Sequence, residues 1–167
     1  GCNAFLGGIS KNYGTNLLLS DTSEYVVIEA DEFDRSFHWL SPYISVVTAT
    51  DADHLDIYGT KEAYLESFRH YTSLIRPGGA LIMRKGIELQ PDLQEGVQLY
   101  TYSKEEGDFH AENIRIGSGE IFFDYISPLG NIDDIQLGVP IAINIENGVA
   151  AMALAHMSGV TNEELKE

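Results

Sequence analysis

The sequence predicts an α/β fold: a mostly parallel sheet flanked by helices, with a small antiparallel β unit attached. Short apolar, β-prone runs recur at Tyr25-Val26-Val27-Ile28, Ile44-Ser45-Val46-Val47-Thr48 and Ala80-Leu81-Ile82-Met83. A helix with one apolar stripe separates the second run from the third. From about Val97 the pattern changes to successive short strands with a glycine-rich turn. Strand, crossover, strand, helix, strand implies parallel pairing with right-handed connections. The 167 residues suffice for a single domain with its own core, residues 1–167.

The helix is expected over residues 61–75. Tyr64, Phe68, Tyr71 and Ile75 step by four, three and four, so they share one face. Thr60 can cap its start, Glu62 suits its positive end and Arg76 its negative end. Pro77-Gly78-Gly79 then stops it. Strands are expected at 97–102, 113–116 and 120–126, the last two joined by a hairpin turn at Gly117-Ser118-Gly119. Residues 135–139 supply one more, which places the antiparallel unit at about 97–139. Ile145, Val149, Met152 and His156 recur at helical spacing along an alanine-rich run, and Gly159 supplies a stop. Thr161 and Glu164 then form a T-x-x-E capping box. A chain opening on Gly1-Cys2-Asn3, with a helix signalled three residues before its end, is expected to be cut from a longer one.

Ten Lys and Arg against 26 Asp and Glu leave a formal net charge of −16. Such a surface repels phosphate backbones and anionic lipid, so nucleic acid and membrane are poor partners. An anionic nucleotide would need local relief from metal ions, backbone amides or a few placed bases. No apolar run approaches the roughly 20 residues of a membrane span. The single cysteine, Cys2, excludes an internal disulfide framework and a cysteine metal cluster, and it fits a reducing compartment.

The carboxylates are unevenly placed. Glu29-Ala30-Asp31-Glu32-Phe33-Asp34 directly follows the first apolar run, and Asp51-Ala52-Asp53-His54-Leu55-Asp56 follows the second. In an open parallel sheet the C-terminal strand ends line the ligand crevice, so both clusters are expected on one rim. Carboxylate and imidazole there make a reasonable site for magnesium, which completes its shell with water and phosphate. Glu29, directly after its strand, and His54, the only imidazole among the carboxylates, are the leading candidates. The competing reading is plainer: Asp53 or Asp56 caps a turn, and His54 hydrogen-bonds a backbone carbonyl. No G-x-S-x-G elbow, G-x-x-x-x-G-K-[ST] loop or G-x-G-x-x-G loop occurs.

VVIEADEFDRSF (residues 26–37) and VVTATDADHLDIY (residues 46–58) resemble two signature segments of the Mur ligase central domain. Phe5-Leu6-Gly7-Gly8, Gly14-Thr15-Asn16 and Asn144-Ile145-Glu146-Asn147 also fit, so the resemblance runs the length of the chain in order. It implies a P-loop-type ATP-binding domain without its phosphate-loop segment. Glu29 would bind magnesium beside the ATP γ-phosphate, His54 would bind a second magnesium near the substrate carboxylate, and Asn144 and Asn147 would contact adenine. The implied chemistry is acyl-phosphate formation from ATP and a carboxylate, followed by displacement of phosphate by an amine. EADE-x-D-x-SF and DHLD-x-Y resemble most the branch that joins L-alanine to UDP-N-acetylmuramate in the cytoplasm for peptidoglycan synthesis. A muropeptide-recycling branch, a metal-dependent hydrolase and a non-catalytic binding domain are the alternatives. Several members carry a carbamylated lysine where this chain has Phe68, which fits the alanine-adding branch. The pattern departs from the family at Ala49, usually asparagine, and at Ile141 and Ile143, usually glycine and histidine. The phosphate loop and the amino- and carboxy-terminal domains are expected outside this stretch, so alone it should bind ATP weakly and turn over negligibly.

Overall fold

The computed structural model describes residues 1–51, 54–138 and 141–166. The chain falls into two compact units, Gly1–Leu40 and Ser41–Glu167. In the first unit β1 (Asn3–Phe5), β2 (Leu17–Leu18) and β3 (Val26–Ile28) form a sheet in the order β2-β1-β3. β1 is antiparallel to β2 and parallel to β3, with Ala4 opposite Leu18 on one side and Val27 on the other. The first apolar run therefore pairs with β1, whose three residues are too few to carry a period-2 signal. Asn3 staples the loops beside it: its side-chain NH2 donates to the carbonyls of Ser23 and Tyr25, and its Oδ1 accepts from the Ser20 amide. A 3₁₀ turn at Ser36–Trp39 ends the unit.

The second unit is built on the parallel sheet β4 (Ile44–Val47), β5 (Ala80–Arg84) and β6 (Gln98–Tyr102), in that order. The sequence groups β6 with the antiparallel unit; it instead runs parallel to β5. An apolar run does not encode its own direction, and the connection over residues 85–97 is about the dozen residues a crossover needs. Between β4 and β5 lie α1 (Leu55–Tyr58) and α2 (Lys61–Ser73). Thr60 caps α2, its hydroxyl accepting from the Ala63 amide at 3.1 Å. The stripe Tyr64, Phe68, Tyr71 and Ile75 is buried. Alternation along β4 sorts the helices onto opposite faces. Ser45 meets α2, its hydroxyl 2.8 Å from that of Tyr71. Ile44 and Val46 pack with the core beneath α3 (Ile143–Met157).

The antiparallel sheet holds β7 (His110–Gly117), β8 (Glu120–Ile126) and β9 (Ile132–Leu137). Ser118 (φ 54°) and Gly119 (φ 84°) make the turn between β7 and β8. Two consecutive positive φ values are what a two-residue hairpin loop requires to follow strand twist. β9 starts at Ile132, earlier than predicted, and the predicted end at Val139 lies outside the described residues. β8 alternates strictly, with Ile121, Phe123 and Tyr125 fully buried. They join Ile82, Tyr102, Phe109, Ile145, Val149 and Ala153 in one core between the two sheets and α3. Each large apolar side chain buried there contributes about 1.5–3 kcal/mol. The capping box forms: the Thr161 hydroxyl accepts from the Glu164 amide, and the Glu164 carboxylate accepts from the Thr161 amide. Among the described residues no helix is long and apolar enough to cross a membrane.

Candidate functional site

Glu29 follows β3 and extends its pairing, its amide donating to the Phe5 carbonyl at 3.0 Å. Its Oε2 accepts from the Gly7 amide at 2.8 Å. A Cβ on Gly7 would lie 2.8–2.9 Å from the carboxyl atoms, so only glycine permits this approach. The turn after β1 thus holds the carboxylate at the C-terminal end of a parallel strand pair, leaving Oε1 without a hydrogen bond among the described residues.

Two aspartates of the first acidic cluster support the turn that follows it. The Asp31 carboxylate accepts from the Phe33 amide and its carbonyl from the Phe37 amide. Asp34 accepts from the Ser36 amide and hydroxyl. That hydroxyl bond, with help from the amide, holds the Asp34 carboxyl below the usual range. Each aspartate gives one carboxylate oxygen, Oδ1, to the turn leading to Ser36–Trp39.

In the second unit His54 occupies the N-cap position of α1 with φ 53° and ψ 39°. Its carbonyl accepts from the Ile57 and Tyr58 amides at 2.9 and 3.1 Å. The left-handed conformation costs a non-glycine residue about 1 kcal/mol, so the local chain is held there by its surroundings. His54 is half-buried, and Asp56 lies in the first turn of α1. Asp53 is outside the described residues. No three His, Cys, Asp or Glu side chains gather as a metal cluster among the described residues. That is compatible with magnesium, which takes one or two carboxylates and fills its shell with water and phosphate. Glu29, with one oxygen already oriented by an amide, fits that requirement.

Asn144 and Asn147 lie one turn apart on the same side of α3, half-buried and exposed respectively. Ile141 and Ile143 beside them are exposed. Between the asparagines, Glu146 reaches Arg84 at the end of β5. Arg84 also lines an open depression of about 450 Å³ at the C-terminal ends of β4 and β5, with Thr50, Asp51, Lys61, Lys85 and Glu88. Three of the chain's ten basic residues therefore gather on this rim. Each is matched by a carboxylate: Lys61 by Glu88, Lys85 by Glu106 and Arg84 by Glu146. Nothing in the sequence reading marks them, although Arg84-Lys85-Gly86 directly after an apolar strand is a signal in a chain this poor in bases.

In the second unit a parallel sheet with helices on both faces gives the α/β class, and the chain belongs to the Mur ligase family. The family's middle-domain profile matches residues 9–155. The chain is 87% identical over 166 residues to the UDP-N-acetylmuramate–L-alanine ligase of Phocaeicola vulgatus, covering 99% of this chain and 36% of that protein. It thus spans about a third of the length of that curated relative. Among solved structures it is similar to UDP-N-acetylmuramate–alanine ligase MurC from Thermotoga maritima, with a TM-score of 0.77 and 23% identity over 98% of this chain and 36% of that one. It is also similar to UDP-N-acetylmuramate:L-alanyl-γ-D-glutamyl-meso-diaminopimelate ligase from Neisseria meningitides, with a TM-score of 0.75 and 19% identity over 98% and 56% of the two chains. At these identities the two structures speak to the fold alone.

Proposed function

We propose that this stretch is the nucleotide-handling middle segment of a cytoplasmic, ATP-dependent ligase that joins L-alanine to UDP-N-acetylmuramate. The observation that carries the reading is the 87% identity, over nearly the whole chain, to a relative named for that reaction. In this reading Glu29 and His54 hold magnesium and Asn144 and Asn147 meet adenine. Magnesium, when bound, would neutralise phosphoryl charge while the γ-phosphoryl passes to the substrate carboxylate. The chain's own contribution is placement. The Gly7 amide fixes the rotamer of Glu29, the left-handed backbone at His54 sets where its ring leaves the chain, and α3 carries the asparagines. Catalysis by such a site is positioning and electrostatics, without a protein nucleophile.

The test uses the full-length protein with UDP-N-acetylmuramate, ATP and magnesium. Phosphate release should depend on L-alanine. Dependence on L-alanyl-γ-D-glutamyl-meso-diaminopimelate instead would move the protein to the recycling branch. Glu29→Ala and His54→Ala should each lower turnover by about a hundredfold or more. Full activity in both variants would return the acidic rim to a solvated surface.

A further inference from the structure

The ion pair between Glu146 and Arg84 is unusual on a surface where most charge pairs are exposed. The Glu146 side chain is only 13% exposed, although it lies in the first turn of α3. Its Oε2 sits 2.9 Å from Arg84 Nε. That nitrogen is itself buried, and the approach is a charge contact whose angle falls short of a hydrogen bond. Taking a carboxylate this far out of water costs free energy unless a cation compensates, so the pair is held for a reason other than solubility.

The start of α3 shows what the pair can do. Ala142 at the N-cap offers no side-chain cap, whereas a Ser, Thr, Asp or Asn there would normally anchor the first turn. Ile145 and Val149, fully buried, seat the helix in the core, and the uncapped first turn is left to be tied down by the pair. At 3.6 residues per turn, Ile145, Glu146 and Val149 fall on one side of the helix and Asn144 and Asn147 on the other. The contact ties this first turn, and with it both asparagines, to the end of β5. Tyr102, at the end of β6, belongs to the same cluster: burial, and then the Glu146 carboxylate, push its hydroxyl up to about 12, with Arg84 opposing.

We propose that Glu146, through Arg84, is a positioning residue that sets how the first turn of α3 presents Asn144 and Asn147 to the nucleotide base. The proposal rests on the reading of those asparagines given above and names what holds them in this chain, where Ile141 and Ile143 supply no polar tether.

The test is made in the full-length protein with Glu146→Gln, Arg84→Met and the double variant. Each single change should raise the dissociation constant and KM for Mg-ATP about tenfold, and the double change should be no worse than either, because coupled residues are non-additive. The preference for ATP over GTP should narrow, while kcat and the KM for L-alanine stay within about twofold. Unchanged ATP affinity and base preference in Glu146→Gln would overturn the proposal. So would an equal rise in KM for every substrate accompanied by a lowered melting temperature, which marks a purely structural role. A wild-type protein that binds ATP but does not ligate alanine overturns the activity reading and leaves this proposal standing. A wild-type protein that binds no ATP overturns both.

Discussion

Gly7→Ala changes one methyl group and tests the best-defined contact at the candidate site. The added Cβ would stand 2.8 Å from Glu29 Oε1 and 2.9 Å from Cδ and Oε2. Ordinary contact begins near 3.4 Å, so the carboxylate must retreat by about half an ångström and the 2.8 Å bond from the Gly7 amide must lengthen. The atoms that give way are the exposed end of a flexible side chain, so the cost to folding should stay below about 1 kcal/mol. That corresponds to roughly 2–4 °C in melting temperature. The cost to function should be much larger. Loss of a residue that orients a metal ligand typically costs about 10–100-fold, and comparable losses follow small misplacements of reacting groups. The assay is kcat/KM for ATP in the full-length protein across a magnesium titration. A 10–100-fold fall, partly recovered at high magnesium, is expected. Unchanged kinetics at every magnesium concentration would show that the placement of Glu29 does not matter. A melting temperature lowered by more than about 5 °C would show that the substitution acts through folding instead.

Two further outcomes follow from the core. Tyr71→Phe removes the 2.8 Å partner of Ser45, whose side chain is buried; it should cost about 1–2 kcal/mol, seen as a lower urea midpoint at unchanged slope. Unaltered stability would mean that water replaces the bond. His156 is held below its usual 6.5 by burial, with Nδ1 3.4 Å from the Ser127 hydroxyl. Its protonation is therefore favoured in the unfolded chain. The stabilisation is complete above about pH 6.5 and declines as pH falls through the lowered value. His156→Gln should flatten the fall in stability between about pH 7 and 5, and identical pH profiles for wild type and variant would refute the assignment.

Much of the fold was legible because burial imposes a period. The stripe Tyr64, Phe68, Tyr71 and Ile75, the strict alternation of β8 and the Thr60 cap all carry local chemistry that the tertiary structure then uses. What could not be read was pairing. β3 and β6 were both visible as strands, yet β3 pairs with β1 and β6 with β5. Strand direction and partner depend on where connections return the chain, which is a global property. β1 was invisible for a different reason: its structural weight rests on Asn3, a polar residue that holds three loop groups through one amide side chain.

The site divides in the same way, and the division narrows what an acidic motif can mean. The four carboxylates between Glu29 and Asp34 look alike as composition, and spacing alone does not separate a capping residue from a metal ligand among them. The structure gives different positions different work. Asp31 and Asp34 cap the turn before Ser36, the kind of role that the plainer reading gives to Asp53 or Asp56 in the second cluster. Glu29 instead meets a backbone amide across the sheet, through a gap that a side chain on Gly7 would close. The discriminating signal was therefore Gly7 rather than the carboxylates, and it lies 22 residues from Glu29 in sequence. Glu146 makes the same point, since only the fold brings it to Arg84. In a chain of net charge −16, a carboxylate becomes informative when an amide or guanidinium distant in sequence fixes it, because neither a solvated surface nor a local turn requires such a partner.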